Sequence, residues 1–181
     1  MPQDRPIVLL DACCVINLYA TGQFGEILSA LPYQFGIARK VGEESLYVRI
    51  PGTREKNPIN LTQWIIDGVL AEYDLEDEEK ESAVYLATQV DDGEAATISI
   101  AHHRDFAIAT DDQKAIDLIQ SLSLIYMTTL SLLKEWSDAC EIQEIEMSRI
   151  LHHIRTKAVY EPPRADPLRS WWESIIGHFL S

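Results

Sequence analysis

Two short apolar runs, each followed by acidic residues, constrain the fold of this sequence more than any other feature. The first run, Ile7–Leu10, leads directly into Asp11. The second run, residues 106–109, leads through one threonine to Asp111 and Asp112. An uninterrupted apolar run of about four residues is typical of a strand that is buried on both faces of a parallel sheet. Because ligands bind beyond the carboxyl ends of such strands, we expect these carboxylates to meet at one edge of a sheet.

The remaining pattern up to residue 140 alternates between predicted strands and predicted helices. Further strands are predicted at 34–37, 59–61 and 124–127, and helices at 15–31 (with a break near Gly22 and Gly25), 38–48, 61–70, 76–90, 94–104, 113–121 and 129–139. Residues 49–58 are rich in Pro, Gly, Asn and charge, which indicates a loop or insertion. This alternation predicts a three-layer α/β/α fold with a mostly parallel central sheet.

The pattern changes after residue 140, which predicts a boundary in the chain. We expect an α/β domain over residues 1–140, with an insertion-like segment at 49–73, and a C-terminal helical extension over 141–181. Within the extension, residues 142–159 have the spacing of an amphipathic helix, and Asp166 and Pro167 are typical of a second helix start. The extension is expected either to mediate homodimerisation or to cover a face of the sheet.

The charge of the chain limits the surfaces with which it can bind a partner. The formal net charge is −14, and residues 72–94 alone contain ten acids against Lys80. Such an excess argues against a broad, non-specific nucleic-acid-binding surface, which requires clustered Lys and Arg. Weak basic clusters occur at 39–56 and 149–169, so contact with a nucleic acid would depend on local patches and bound cations.

Other features of the sequence indicate a cytoplasmic protein. The polar start is unlike a signal peptide, and the longest uncharged stretch, 118–133, is too short and too polar to span a membrane. Three cysteines, of which Cys13 and Cys14 are adjacent, fit a reducing compartment. No Cys/His spacing resembles a zinc site, and the adjacent pair is expected to consist of small core residues.

The acids at the predicted strand ends indicate a metal site. Glu94 begins the helix that precedes the second apolar run, so it can face the same crevice as Asp11 and the Asp111–Asp112 pair. Several carboxylates in one place repel each other unless a cation is present, and hard oxygen ligands select Mg²⁺ or Mn²⁺. One or two such ions can activate a water for attack on a phosphodiester.

Three segments resemble PIN-domain nucleases, in the order in which that superfamily has them. They are residues 8–18, 92–101 and 106–112, and the resemblance covers residues 7–136. It implies that the metal-binding and catalytic acids are Asp11, Glu44, Glu94 and Asp112, with Asp111 as an alternative to Asp112 and Glu43 as an alternative to Glu44. Asn17 matches a supporting polar position. Cys13 stands where the family usually has Ser or Thr, a hydroxyl that helps to order the site.

The resemblance implies a metal-dependent endoribonuclease that hydrolyses RNA with Mg²⁺ or Mn²⁺, similar to the toxins of toxin–antitoxin pairs. It also implies an antitoxin-type protein partner and a homodimer. The net charge and Cys13 favour a different class, a catalytically weak or inactive PIN-like domain that acts as a protein-binding or assembly module. A haloacid-dehalogenase-like phosphatase would need an Asp at position 13, and a dinucleotide-binding fold would need a glycine-rich turn after the first strand.

Overall fold

The computed structural model describes residues 5–177, which divide into two compact units. The first, here called the sheet unit, takes in Met1–Val15, Pro32–Ser45 and Asn60–Thr128. The second unit takes in Ile16–Leu31, Leu46–Ile59 and Thr129–Ser181. Residues 1–4 and 178–181, the ends of the two predicted segments of the chain, lie outside the described residues. The predicted boundary at residue 140 stays a prediction.

The regular elements follow one another as strands and helices. The strands are β1 (Ile7–Leu10), β2 (Gln34–Ala38), β3 (Tyr47–Arg49), β4 (Lys56–Pro58), β5 (Leu70–Tyr73), β6 (Ala107–Ala109) and β7 (Tyr126–Met127). The helices are α1 (Ala12–Ala20), α2 (Phe24–Ala30), α3 (Arg39–Gly42), α4 (Thr62–Ile66), α5 (Asp77–Leu86), α6 (Asp92–Arg104), α7 (Gln113–Ser121), α8 (Thr129–Ala139), α9 (Glu144–His153) and α10 (Arg169–Gly177), with a π-helix at Ile154–Ala158 after α9.

The sheet unit is built on a five-stranded parallel sheet with the order β5-β2-β1-β6-β7. The predicted three-layer α/β/α class with a mostly parallel sheet is confirmed. The chain moves from β1 to β2 on one side and places β6 on the other, so β1 and β6 flank a topological switch point. Leu10 pairs with Ala109, and the Asp11 amide donates to the Ala109 carbonyl over 3.0 Å. The residues that follow both strands therefore lie side by side.

Helix α6 is buried along most of its length, and its start is fixed by a capping box. Asp91 Oδ1 accepts from the Glu94 amide over 2.8 Å, and Glu94 Oε2 accepts from the Asp91 amide over 3.2 Å. This reciprocal pair satisfies two backbone donors that a helix end otherwise leaves without partners. It also fixes Glu94 in the first turn of the helix, while the small and branched residues that follow, 95–101, are all buried.

The second unit contains an antiparallel hairpin and several helices. Strands β3 and β4 pair with Tyr47 opposite Pro58, and the Lys56 ammonium lies 3.7 Å from the centre of the Tyr47 ring. Helix α10 packs on α9. Its Trp172 side chain is fully buried and meets the Tyr160 ring edge-on at 5.7 Å.

The structure corrects the predicted elements between residues 38 and 73. The helix predicted at 38–48 ends at Gly42, and the predicted loop at 49–58 contributes to the β3–β4 hairpin. Within the described residues, 59–61 form no strand. The helix predicted at 61–70 covers only Thr62–Ile66, and Leu70 at its predicted end belongs to strand β5. Four-residue strands depend on their partners, and β5 is defined by its pairing with β2 rather than by a local pattern.

Among the residues that the structure describes, no helix is long and apolar enough to cross a bilayer.

Candidate metal centre

Asp11 is the buried centre of the acidic cluster. Its side chain follows β1 directly and is only 3% exposed. Three donors satisfy its carboxylate: the Ala12 amide at 2.7 Å, the Thr110 hydroxyl at 2.9 Å and the Cys13 thiol at 3.3 Å. Burial raises the pKa of Asp11 above its usual value, and these hydrogen bonds oppose the shift by stabilising the charged form. The carboxylate is thus held in one orientation at the end of the strand.

Thr110 and Cys13 hold Asp11 in place from two sides. Thr110 follows β6 and is 1% exposed. Its hydroxyl donates to Asp11 and also accepts from the Asp112 amide over 3.2 Å. The Cys13 sulfur lies 3.6 Å from the Thr110 hydroxyl and accepts from the Asp111 amide over 3.3 Å. Cys13 therefore makes the ordering contacts expected of a hydroxyl at this position.

Glu94 is an acid whose protonation is strongly altered by its surroundings. Burial, as the largest cause, and the negative charges of Asp11, Asp91 and Asp112 together raise its pKa to about 7. The hydrogen bond from the Asp91 amide acts in the opposite direction. Glu94 and Asp11 also line one small cleft, together with Thr110. Glu94 at the start of α6 and Asp11 at the end of β1 therefore lie at the same cleft, and the charge of Asp112 beyond β6 acts on Glu94.

Glu44 lies next to the start of α6, just beyond the short helix α3. A methyl group placed on Gly93 would overlap the Glu44 carboxylate, so only glycine leaves room for it there. Burial raises the pKa of Glu44, as do the charges of Asp91 and Asp11. Glu43 instead lines a different cleft with Arg39 and Lys40, among others. These surroundings favour Glu44 over Glu43 as the acid of the cluster.

Asp111 and Asp112 have different surroundings, although they are adjacent in sequence. Asp112 is exposed, caps α7 by accepting from the Lys114 and Ala115 amides, and raises the pKa of Glu94. Asp111 is half-buried, and its Oδ2 lies 3.6 Å from the Cys14 sulfur. Asp112 is therefore coupled to the carboxylates, while Asp111 contacts a thiol.

Asn17, the remaining residue expected to support the site, belongs to the second unit. It is 5% exposed, and its amide group donates to the Thr129 hydroxyl over 3.3 Å. This contact joins α1 to the start of α8 within that unit. A supporting role for Asn17 stays a prediction.

The chemistry of the oxygen donors fits a hard divalent cation. The charged neighbours that raise the pKa of Glu94 are all acids, so a cation would relieve their mutual repulsion. Within the described residues, Asp11, Glu44, Glu94 and Asp112 do not form a group whose ligand atoms all lie within 4.8 Å of one another. Direct ligation by all four is not required, since Mg²⁺ keeps several waters and is usually held by one or two carboxylates.

Comparison with known protein families identifies the family of this chain. A family model described as a PIN domain matches residues 7–165, which is most of the chain. The chain belongs to the PIN-domain family. Proteins with PIN domains are generally nucleases that use divalent metals and act on RNA. The match extends past residue 136 and includes the 49–73 segment, both of which lie beyond the motifs that carry the sequence resemblance. No curated protein gives a significant match.

Two residues of this PIN domain contribute to the cluster although the sequence did not single them out. Thr110 donates to Asp11, and Asp91 acts on both Glu44 and Glu94. The signal for Asp91 was the capping-box spacing to Glu94. The signal for Thr110 was its position between an apolar run and an acid. That position indicates a contact with Asp11 only when the register of β6 against β1 is known.

Proposed function

We propose that this PIN domain is a Mg²⁺- or Mn²⁺-dependent endoribonuclease that hydrolyses RNA phosphodiester bonds. The observation that supports this proposal is that Asp11 and Glu94, from two segments of the chain, line one cleft, while the charge of Asp112 beyond β6 acts on Glu94. Asp11, Glu94 and Asp112 would hold the cation, and Glu44 would complete the set with its carboxylate over Gly93. When bound, the ion supplies Lewis-acid activation of a water and charge stabilisation at the phosphate.

The residues around the acids orient them and set their charge. Thr110 and Cys13 keep the Asp11 carboxylate facing one direction, so little reorganisation is needed when a cation binds. The capping box does the same for Glu94, because Oε2 is fixed on the Asp91 amide. Such pre-oriented ligands increase metal affinity, since the side chains lose less freedom on binding.

RNA must approach this acidic cleft against its negative charge. Lys40 is the cation whose charge lowers the pKa of Glu44, which indicates that it lies near the cluster. Its neighbour Arg39 is engaged with Glu72 at 3.0 Å and Asp74 at 2.8 Å. We infer that Lys40 meets an RNA phosphate beside the acids, and that the bound metal supplies the rest of the positive charge.

Cleavage of a labelled single-stranded RNA by the purified chain tests the proposal. Activity is expected with Mg²⁺ or Mn²⁺ and is expected to stop when EDTA is added. Asp11→Asn and Glu94→Gln are each expected to lower the rate by about 100-fold or more, because even an outer-shell partner of a metal is typically worth 10–100-fold. Asp117→Asn is the matched control, since Asp117 is an exposed acid of the same unit that bonds to Gln113.

The outcome also distinguishes the proposal from a non-catalytic role. If the wild-type chain cleaves no RNA with either metal, the nuclease proposal fails. Calorimetric titration with Mn²⁺ then decides what remains: an absence of binding supports a protein-binding or assembly module. Cleavage that is equally fast in Asp11→Asn would indicate a contaminating nuclease and would also overturn the proposal.

The same proposal includes the partners and location that the resemblance implies. We propose that the chain acts in the cytoplasm on cellular RNA, as the toxin of a toxin–antitoxin pair, and forms a homodimer. Induced expression should then arrest growth, while the Asp11→Asn variant should not. Co-expression of an antitoxin-type protein encoded beside it should restore growth. Light scattering of the purified chain should give twice the mass of one copy, and a monomer would refute the dimer.

A further inference from the structure

The structure brings together three potential metal ligands that are not all part of the oxygen cluster. The sulfurs of Cys13 and Cys14 and one carboxylate oxygen of Asp111 all lie within 4.8 Å of one another. Cys14 is buried, and Cys13 and Asp111 are half-buried. Neither cysteine is in a disulfide. This group was not predictable from the sequence, because Asp111 lies 97 residues from Cys14 and no zinc motif has this spacing.

One distance within this group matches the separation of two ligand atoms in a tetrahedral metal site. The Cys14 sulfur lies 3.6 Å from Asp111 Oδ2. Zn²⁺ binds sulfur at about 2.3 Å and carboxylate oxygen at about 2.0 Å, and at tetrahedral angles these bonds separate the two ligand atoms by about 3.5 Å. Little movement is therefore needed for both atoms to bind one ion. Asp111 is also tied to the first turn of α1, because its amide donates to the Cys13 sulfur over 3.3 Å.

The composition of the group selects a different metal from the oxygen cluster. Thiolates prefer thiophilic ions such as Zn²⁺, whereas carboxylates and waters suit Mg²⁺ and Mn²⁺. Three protein ligands with a fourth position left for water is a common arrangement for zinc. We propose that Cys13, Cys14 and Asp111 form a binding site for a thiophilic divalent cation, of which Zn²⁺ is the representative.

Occupation of this thiol site would affect the oxygen cluster directly. The Cys13 sulfur donates to Asp11 Oδ2 over 3.3 Å, and a zinc-bound thiolate has no proton to donate. Asp11 would then lose one of its three donors and gain a second cation close to its carboxylate. Zinc is therefore expected to inhibit Mn²⁺-dependent cleavage. This consequence rests on the proposed nuclease function, whereas zinc binding itself does not.

Cobalt is a suitable probe, because Co²⁺ with thiolate ligands in tetrahedral geometry absorbs strongly in the visible and near ultraviolet. Titration of the reduced, metal-free full chain with Co²⁺ should produce sulfur-to-cobalt charge-transfer absorption, and one equivalent of Zn²⁺ should remove it. Cys14→Ala and Asp111→Asn should each weaken the zinc affinity, measured by competition with Co²⁺, by on the order of 100-fold. Cys13→Ser is a second test, because it preserves the shape of a half-buried side chain. Circular dichroism checks that each variant is folded.

Cys140→Ser is the matched control, because Cys140 is exposed and lies outside the group. It should leave the absorption and the affinity unchanged. Absence of a charge-transfer band in the wild type would overturn the proposal, as would an unchanged band in folded Cys13→Ser or Cys14→Ala, or a band lost in Cys140→Ser. If RNA is cleaved, the rate of Mn²⁺-dependent cleavage with Zn²⁺, divided by the rate without it, should lie well below one in the wild type and near one in Cys14→Ala. If RNA is not cleaved, the cobalt spectra still decide the zinc site.

Discussion

Replacing Glu94 with glutamine in the metal-free protein removes a negative charge that burial and three neighbouring acids disfavour. The pKa of Glu94 is raised from 4.5 to about 7, first by burial and then by the charges of Asp11, Asp91 and Asp112. Because its folded-state pKa lies above the unfolded value, the folded protein binds this proton more tightly. The contribution to the free energy of unfolding is therefore fully present below about pH 4.5 and is lost as the pH rises through about 7.

The size of the effect follows from the pKa. Each tenfold change in proton affinity corresponds to about 1.4 kcal/mol, so a pKa of about 7 sets an upper limit of about 3 kcal/mol. Glu94 is partly exposed, and solvent screening lowers the expected value to about 2 kcal/mol. Metal-free Glu94→Gln should thus be about 2 kcal/mol more stable than the wild type at about pH 8, with no gain at about pH 4.

Urea denaturation in EDTA, followed by circular dichroism across this pH range, measures the difference. A saturating divalent metal should reverse the order at high pH, because the wild type then gains binding energy that the variant lacks. Asp117→Asn, which removes an exposed acid outside the cluster, controls for the change in net charge. If metal-free Glu94→Gln is less stable than the wild type at about pH 8, burial and the neighbouring acids do not disfavour the Glu94 charge as argued, and the reasoning fails.

Three further substitutions test other contacts of the sheet unit. Arg104→Met should lower the free energy of unfolding by about 3–5 kcal/mol at neutral pH, because the Glu79 side chain is only 3% exposed and loses two hydrogen bonds of 2.6 and 2.7 Å. Because Arg104 lowers the pKa of Glu79, the wild type should lose this stabilisation as the pH falls below about 4.5. The urea midpoint of the variant should vary less with pH. Thr110→Val removes the hydroxyl that holds Asp11 and should weaken Mn²⁺ binding by about 10–100-fold in calorimetry, while Thr110→Ser should keep the wild-type affinity. If Thr110→Val and the wild type bind Mn²⁺ equally well, Thr110 does not orient Asp11 for the metal. Gly93→Ala should displace the Glu44 carboxylate and weaken Mn²⁺ binding. It should change the free energy of unfolding by no more than about 1 kcal/mol, because alanine is a good helix former. A large fall in melting temperature would show that Gly93 is needed for packing instead.

The central strands and helix starts were predictable because their signals are local. The apolar run before Asp11 reads as a buried strand, and β1 has the bounds of that run. The helix start predicted at Glu94 has its physical basis in the capping box that Glu94 forms with Asp91. Strand β5 and the β3–β4 hairpin were missed because short strands are defined by pairing with distant residues.

That acids follow two buried strands and begin a buried helix can be predicted from the chain alone, since these features depend on hydrophobicity and capping within a few residues. The side chains that orient these acids, in contrast, are defined by tertiary contacts. Thr110 holds Asp11 across 99 residues of sequence, and the register of β6 against β1 creates that contact. The same register brings Asp111 to Cys13 and Cys14 and leaves Asp112 coupled to Glu94. Which of two neighbouring acids faces a thiol and which acts on a carboxylate depends on the direction of each side chain, and hydrophobic pattern does not encode that direction.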